Sequence, residues 1–284
     1  MNKVVMTPNP YRDKNFKYVT QAEKILNSVG IETKTCLAFD VDKNFDMPED
    51  IVFHDLKQEL KNAQLLICFG GDGTILHASK AATLAGIPIL GVNIGTMGFM
   101  AELENSELEL LRKLKNDEYT IEKRMMLHVV VRHDNEIIYD DIALNDAAIT
   151  KGTIARIIQM SVLCDKVEAM NFGGDGVLVC TPTGSTAYSL SAGGPIIEPL
   201  SENILITPIC AHDMVTKPLV ASPLREITVR IGRIGRKSAF LSVDGGRAVR
   251  LSAGDTITIT RSKHYTKLLR LRDRSFFEII RNKF

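Results

Sequence analysis

The stretch from Gln64 to Val92 constrains the fold more than any other part of the chain. An apolar run Gln64–Phe69 (QLLICF) leads into Gly70-Gly71-Asp72-Gly73-Thr74; Ile75–Ala85 follows, closed by Gly86, and then a second apolar run, Ile87–Val92 (IPILGV). Short apolar runs bounded by turn residues are the form taken by buried parallel strands. Two such strands joined by a helix make a βαβ unit, and ligands in open sheets of this kind sit beyond the carboxyl ends of the strands. The glycine-rich loop at 70–74 lies at that end.

The same texture extends through the first third of the chain. Lys3–Met6 predicts a strand ended by the Thr7-Pro8-Asn9-Pro10 turn. Tyr18, Ala22, Ile25, Leu26 and Val29 keep helical spacing over Phe16–Val29, and Gly30 stops the helix. Thr33–Phe39 predicts a strand, 40–50 an acidic loop, and Asp55–Asn62 and Asn105–Lys115 two further helices. Beyond about Tyr119, short β-leaning runs take over, among them Met125–His133, Ala155–Leu163, Val177–Cys180, Ser238–Val243 and Thr256–Thr260, with Ser185–Ala192 the main helix among them. With 284 residues, two domains are expected. They are a Rossmann-like α/β domain with a parallel sheet at 1–105 and a mostly antiparallel, β-sandwich-like domain at 106–262. A carboxy-terminal segment at 263–284 is read as a strand returning to the first domain.

Composition excludes several function classes. Lys plus Arg is 35 and Asp plus Glu is 34, a net charge of +1, which supports neither a nucleic-acid footprint nor a polybasic membrane contact. Ala81–Ala101 carries no charge, but Gly86, Pro88, Gly91, Gly95 and Gly98 break it, so strand and loop are expected rather than a spanning helix. The amino terminus MNKVVMTPNP does not fit a signal peptide. Five cysteines (Cys36, Cys68, Cys164, Cys180, Cys210) form no CxxC pair; they read as free thiols in a reducing compartment, which places the protein in the cytoplasm.

Two constellations carry chemistry. In Gly70–Thr74, three glycines within four residues let backbone N–H groups approach an anion, and the following helix adds its positive end. Gly70, Gly71, Gly73 and Thr74 therefore form a candidate phosphate loop. It lacks the GxxxxGK of a Walker A loop, and Leu76 stands where a dinucleotide fingerprint needs its third glycine. Asp72 would repel phosphate unless it either held Mg²⁺ or accepted a proton from a hydroxyl that attacks a phosphate. Either role points to phosphoryl transfer. The second constellation, Thr181–Ile197 (TPTGSTAYSLSAGGPII), is rich in hydroxyls, free of charge and holds one aromatic, Tyr188, which suits a nucleotide. Asn145-Asp146 is either a strand-end turn or a grip on a hydroxyl or an adenine edge. Asp175 shares that ambiguity. Arg156, in the alternating TIARIIQM, is placed on a polar strand face within reach of a phosphate, and His77 lies on the helix leaving the glycine loop. The basic set Arg261, Lys263, Lys267, Arg270, Arg272 and Arg274 reads as a solvated strand face rather than an RNA surface.

GGDGT at 70–74, LND at 144–146, DG at 175–176, TPTGSTAYSLSAGGPI at 181–196 and DGG at 244–246, in this order over nearly the whole chain, resemble the NAD kinase family. The resemblance implies transfer of the ATP γ-phosphate to the 2′-hydroxyl of the adenosine ribose of NAD, yielding NADP, with Asp72 as proton acceptor and Gly73 beside it. It implies that Asn145 and Asp146 hold the adenosine and that Thr186, Ala187, Tyr188, Ser189, Leu190 and Ser191 wrap its adenine and ribose. It also implies contacts from His77, Arg156, Asp175 and Cys210, Mg²⁺ or another divalent cation on the ATP phosphates, NAD bound between the two domains, and a homo-oligomer, dimer or tetramer. The chain departs from the family at three positions: Asp146 where Glu is usual, Gly173 where many relatives carry a basic residue, and Gly246 where some carry a side chain near the ligand. The GGDGT loop also occurs in lipid kinases, and a non-catalytic NAD(P)-binding sensor would need the same adenosine segment. The polar 181–197 segment argues against the lipid kinase, and Asp72 among phosphate amides argues against the sensor.

Overall fold

The computed structural model describes residues 1–42, 45–95, 98–152, 156–212, 215–232, 238–273 and 275–283. Two compact units form, one from Met1–Lys123 with Thr266–Phe284 and one from Arg124–Tyr265.

The first unit is an α/β layer structure. Its parallel sheet contains β1 (Lys3–Pro8), β2 (Glu32–Cys36), β3 (Phe53–His54), β4 (Leu65–Gly70) and β5 (Ile89–Asn93), ordered β3-β2-β1-β4-β5. That is the doubly wound order, and its direction reverses between β1 and β4. The central strands β1, β4 and β5 are buried on both faces, so they read as largely continuous apolar runs rather than alternating ones, whereas β2 and β3 at the edge are partly exposed. Val4, Met6, Leu65, Ile67, Phe69, Leu90 and Val92 pack with Val19, Ala22 and Leu26 of helix α1 (Lys17–Ser28) and with Leu108, Leu111 and Leu114 of the mostly 3₁₀ helix Asn105–Asn116. Helix α2 (Leu56–Leu60) is short and capped by Asp55, whose carboxylate accepts from Gln58 N at 2.8 Å. Helix α3 (Asp72–Ala85) packs on β4.

Several sequence expectations are corrected here. Helix α3 begins at Asp72, not Ile75, so Asp72, Gly73 and Thr74 are its first turn and Gly71 its N-cap. β1 runs on through Pro8, paired with Phe69, because a strand residue can serve its neighbour through its carbonyl alone. The expected boundary at 105/106 moves to Lys123, because the apolar stripe of helix 105–116 belongs to the first core. The carboxy-terminal boundary falls at Thr266 rather than 263. That segment is a strand only to Arg270, where Leu268 pairs in parallel with Ile89, and it ends in a helix at Phe276–Lys283.

The second unit is built from two antiparallel sheets. One is ordered Leu219–Ala221, Ile204–Ile209, Gly176–Cys180, Asp146–Lys151, Ala239–Val243, Val249–Leu251. The other places Ile158–Cys164 between Val167–Gly174 and Ile227–Ile231. Alternating side chains of both sheets, among them Val162, Val177, Val179, Ile206, Val229, Leu241 and Ile259, fill one core, as in sandwich packing. Ser185–Ala192 is not one helix: a 3₁₀ turn (Thr183–Thr186) and a short helix (Tyr188–Ser191) meet at Ala187, whose φ of −102° and ψ of −126° are non-helical. Arg156 precedes its strand, which begins at Ile158, and is exposed; Ala155 and Arg274 lie outside the described residues. Among the described residues no helix is long and apolar enough to cross a membrane.

Leu111→Ala should test the reassigned helix. Leu111 is fully buried, so truncation should cost about 2–5 kcal/mol of stability, read by urea denaturation. A cost near zero would mean that helix 105–116 is not part of this core.

Candidate functional site

Asp72 sits where the sheet order reverses. β1 ends at Pro8 and β4 at Gly70, and Asn9 bridges the two, donating its backbone N–H to Phe69 O at 2.8 Å and its Nδ2 to Thr74 Oγ1 at 3.2 Å. Open α/β sheets bind ligands in the crevice at this reversal. With Gly71 as N-cap, the first-turn N–H groups of α3 face the same crevice and favour an anion. The Asp72 carboxylate does not swing freely among them. Its Oδ2 accepts from Phe99 N at 2.7 Å and its Oδ1 from Met100 N at 3.0 Å. Gly98 lies directly against it, and a Cβ there would overlap the carboxylate.

A cleft of about 360 Å³ opens over this residue, lined by Asn9, Arg12, Phe39, Gly71, Asp72, Gly73, Thr74, His77, Gly98 and Lys283. Gly73 and His77 are exposed, Asp72 is half-buried, and the His77 ring lies 5.5 Å from that of Phe39. Asn9, Arg12, Phe39, Gly98 and Lys283 are not legible in the sequence as site residues. They come from four segments scattered along the chain, and no local pattern links them. Asp72 is the one carboxylate among these lining residues, and Arg12 and Lys283 are its fixed cations.

The second unit holds the other constellation. The Asp244 carboxylate accepts from three successive backbone N–H groups: Leu144 at 2.7 Å, Asn145 at 2.7 Å and Asp146 at 3.1 Å. From the other side Thr181 donates Oγ1 to Leu144 O at 2.6 Å and its N–H to Asn145 O at 2.9 Å. Gly184 packs on the Asn145 carbonyl so tightly that no Cβ fits. The segment 144–146 is thus clamped through its backbone, which leaves its side chains for other work. Asn145 Oδ1 is buried without a hydrogen-bond partner, a state that costs about 1–3 kcal/mol unless a donor arrives. Burial, with the Asp244 charge added, pushes the Asp146 carboxyl up to about 7. Burial raises Asp244 to about 6, against the pull of its three N–H donors.

The hydroxyl-rich segment divides into internal and available groups. Ser185 Oγ accepts from Ile197 N at 3.0 Å, and Ser189 is buried with its Oγ 2.7 Å from Thr207 Oγ1. Thr186 donates to Thr183 O at 3.2 Å. Ala187 and Leu190 are half-buried, Ser191 is exposed, and the Tyr188 ring is 45% exposed, open on the surface of the second unit. Asp175 pairs with Lys151 Nζ at 2.6 Å. Gly173 lies in a strand against Gln159, and Cys210 is exposed with a left-handed φ of 45°. Gly246 is exposed and follows the tight turn after Asp244. Among the described residues no group of three or more His, Cys, Asp or Glu side chains gathers as a metal site.

A helix N-terminus at the reversal of a doubly wound sheet, with one immobilised carboxylate and two cations lining the same cleft, is an arrangement suited to phosphoryl transfer. Comparison with known proteins agrees. The ATP-NAD kinase N-terminal domain matches residues 17–119 and the ATP-NAD kinase C-terminal domain residues 144–271. A protein named NAD kinase from Ruminiclostridium cellulolyticum is 36% identical over 284 residues, covering 100% of this chain and 98% of its own. A yeast NADH kinase crystallised with NADH superposes with a TM-score of 0.84 at 26% identity, over 100% of this chain and 87% of its own. An NAD kinase from Archaeoglobus fulgidus in complex with ATP gives 0.74 at 26% identity, over 100% and 98%. The chain belongs to the NAD kinase family, and it is an enzyme, a kinase.

Gly98→Ala should displace the Asp72 carboxylate and lower kcat by about 100-fold, a cost typical of a misplaced catalytic group, while the melting temperature stays close to wild type; unchanged kcat would contradict the contact. The raised carboxyls also set a pH dependence. The native state holds protons that the unfolded state releases, so the contribution of Asp146 to stability is greatest near pH 4 and declines as pH rises towards 7. Asp146→Asn should therefore raise the melting temperature at pH 8 and change it little at pH 4. Equal shifts at both pH values would contradict a buried, hard-to-ionise Asp146.

Proposed function

We propose that this chain transfers the γ-phosphate of ATP to the 2′-hydroxyl of the adenosine ribose of NAD, with Asp72 taking the hydroxyl proton. The observation that carries this reading is the hold on Asp72. Two N–H donors fix a lone carboxylate at the helix N-terminus that would bind the phosphates. In the step itself, the proton passes to Asp72, the ribose oxygen bonds to the γ-phosphorus, and the bond to the bridging oxygen breaks, so that ADP leaves with the electron pair. A general base of this kind contributes roughly 10²–10⁴-fold.

The remaining roles follow the chemistry of each group. The N–H groups at Gly71 and Gly73, with Gly70 allowing the close approach, donate to phosphate oxygens, while Thr74, whose N–H is held by Gly71 O at 2.9 Å, fixes the turn; Arg12 and Lys283 balance the phosphate charge, and His77 borders the site. In the other unit, Asn145 Oδ1 accepts the donor it lacks, from a ribose hydroxyl or the adenine amine, and Asp146 takes a ribose hydroxyl. Tyr188 stacks on the base, flanked by Thr186, Ala187, Leu190 and Ser191, while Ser189 supports the turn from within. Arg156, Gly173, Asp175, Cys210 and Gly246 border the dinucleotide.

Both Asp72 oxygens already accept backbone N–H groups, and no second carboxylate is among the described residues that line the cleft. This fits Mg²⁺ or another divalent cation carried in on the ATP phosphates, since Mg²⁺ keeps several waters and needs few protein ligands. Bound there, the cation would neutralise charge on the transferring phosphate. The five free thiols suit the reducing cytoplasm. The edge strand Leu219–Ala221 exposes Leu219 and Val220, a feature that favours pairing with another copy, as a dimer or tetramer.

Asp72→Asn tests the assignment. It should lower NADP formation by about 10²–10⁴-fold, followed with an NADP-specific dehydrogenase, while NAD still binds in a calorimetric titration. A near-normal rate would remove Asp72 as the base.

A further inference from the structure

Arg270 and Arg272 do not lie on the solvated face that the sequence suggests for the carboxy-terminal basic set, whereas Arg261 and Lys263 are exposed. Arg270 and Arg272 are largely covered, and both converge on Glu102, whose side chain is 2% exposed. Leu271 N and Arg272 N donate to Glu102 Oε1 at 3.0 and 2.8 Å, and Arg272 also donates to the Glu102 carbonyl and to Glu107. Arg270 Nε donates to Glu122 Oε2 at 3.0 Å, and its Nη1 reaches both Glu102 Oε2 at 3.3 Å and the backbone carbonyl of Met100 at 3.1 Å.

Met100 is the joint. Its N–H holds Asp72 Oδ1, and its C=O accepts from Arg270. Two residues on, Glu102 N donates to Gly91 O of β5 at 2.8 Å, so the far end of the segment is pinned to the sheet. The near end is gripped by the carboxy-terminal helix: the Phe99 ring lies 6.3 Å from that of Phe276 and has Lys283 Nζ 4.3 Å from its centre. The segment 98–102 has little regular hydrogen bonding of its own, and its donors reach Asp72 at the right angle only if its path is fixed from outside.

We propose that Arg270 is a positioning residue for Asp72, acting through the Met100 peptide. It is not among the residues that line the cleft, and its bonds run to Glu122, Met100 O and Glu102. Its planar fork serves Met100 O, Glu102 and Glu122 together, which a lysine ammonium on a flexible stem does not reproduce. Loosening the Met100 peptide frees the N–H that fixes Asp72 Oδ1, so the carboxylate no longer holds one direction. Arg12, His77 and Lys283 face Asp72 in the same cleft and stay unchanged in the variants below.

The inference rests on Asp72 being the proton acceptor, and its test separates the two. In the full-length protein, Arg270→Lys keeps the charge beside buried Glu102 and so protects the fold, while Arg270→Met removes charge and fork together. Both are assayed with NAD, ATP and Mg²⁺, with Asp72→Asn alongside. Arg270→Lys should lower kcat by about ten-fold and leave KM for NAD and ATP within about two-fold; Arg270→Met should lower kcat more strongly, again with KM little changed. Wild-type kcat in Arg270→Lys would overturn the proposal, as would an activity loss that matches the loss of folded protein, or a loss carried by a raised KM rather than a lowered kcat. If Asp72→Asn is inactive in that case, the base assignment survives and only the positioning role falls. If Asp72→Asn is active, both fall.

Discussion

Two peptide N–H groups, those of Phe99 and Met100, hold the Asp72 carboxylate, and the chemistry proposed for the first unit depends on that hold. A carboxylate in the first turn of a helix complements the helix dipole, yet the same position is where a phosphate would bind. The conflict is resolved by direction. The two N–H bonds draw the carboxylate towards the 98–100 segment, and Gly98 leaves room for it there. The helix N-terminus stays available to an anion, and the carboxylate stands beside the site rather than in it. The doubly wound strand order puts both at the reversal of the sheet, where a crevice opens.

The second unit solves a related problem with opposite means. Its 144–146 loop is clamped through the backbone by Asp244 and Thr181, while Asn145 Oδ1 is buried without a hydrogen-bond partner and the Asp146 carboxyl is buried near the Asp244 charge. Both are unfavourable for stability: one is an unsatisfied acceptor and the other a carboxyl pushed up to about 7 by burial and a neighbouring carboxylate. Groups of this kind persist at functional sites, where a ligand supplies the missing partner.

Much of this is legible in the sequence, for reasons that can be named. The βαβ unit is visible because buried parallel strands are apolar throughout and glycine marks the turn. Asp72 stands out because an acid is chemically out of place among phosphate amides. The hidden parts depend on contacts distant in sequence. Gly98 matters only because Asp72 turns towards it, and Arg12 and Lys283 meet only across the cleft. Arg270 and Arg272 alternate with apolar residues, the pattern of a half-exposed strand; their burial comes from Glu102, Glu107 and Glu122, more than 140 residues away in the chain. Helix 105–116 reads into the wrong unit because its amphipathic pattern shows that it packs without showing against what. The start of α3 reads three residues late because glycine and aspartate are weak helix formers, and the N-terminal role of Asp72 outweighs that propensity.

The central claim is that Asp72 draws its proton from one particular hydroxyl. The most direct measurement is to incubate the protein with NAD, ATP and Mg²⁺ and locate the new phosphate by phosphorus and proton NMR, in wild type and Asp72→Asn. A single new phosphate on the 2′-oxygen of the adenosine ribose, absent with the variant, is the result this account predicts. Phosphate on another oxygen, or equal product from both proteins, would contradict it.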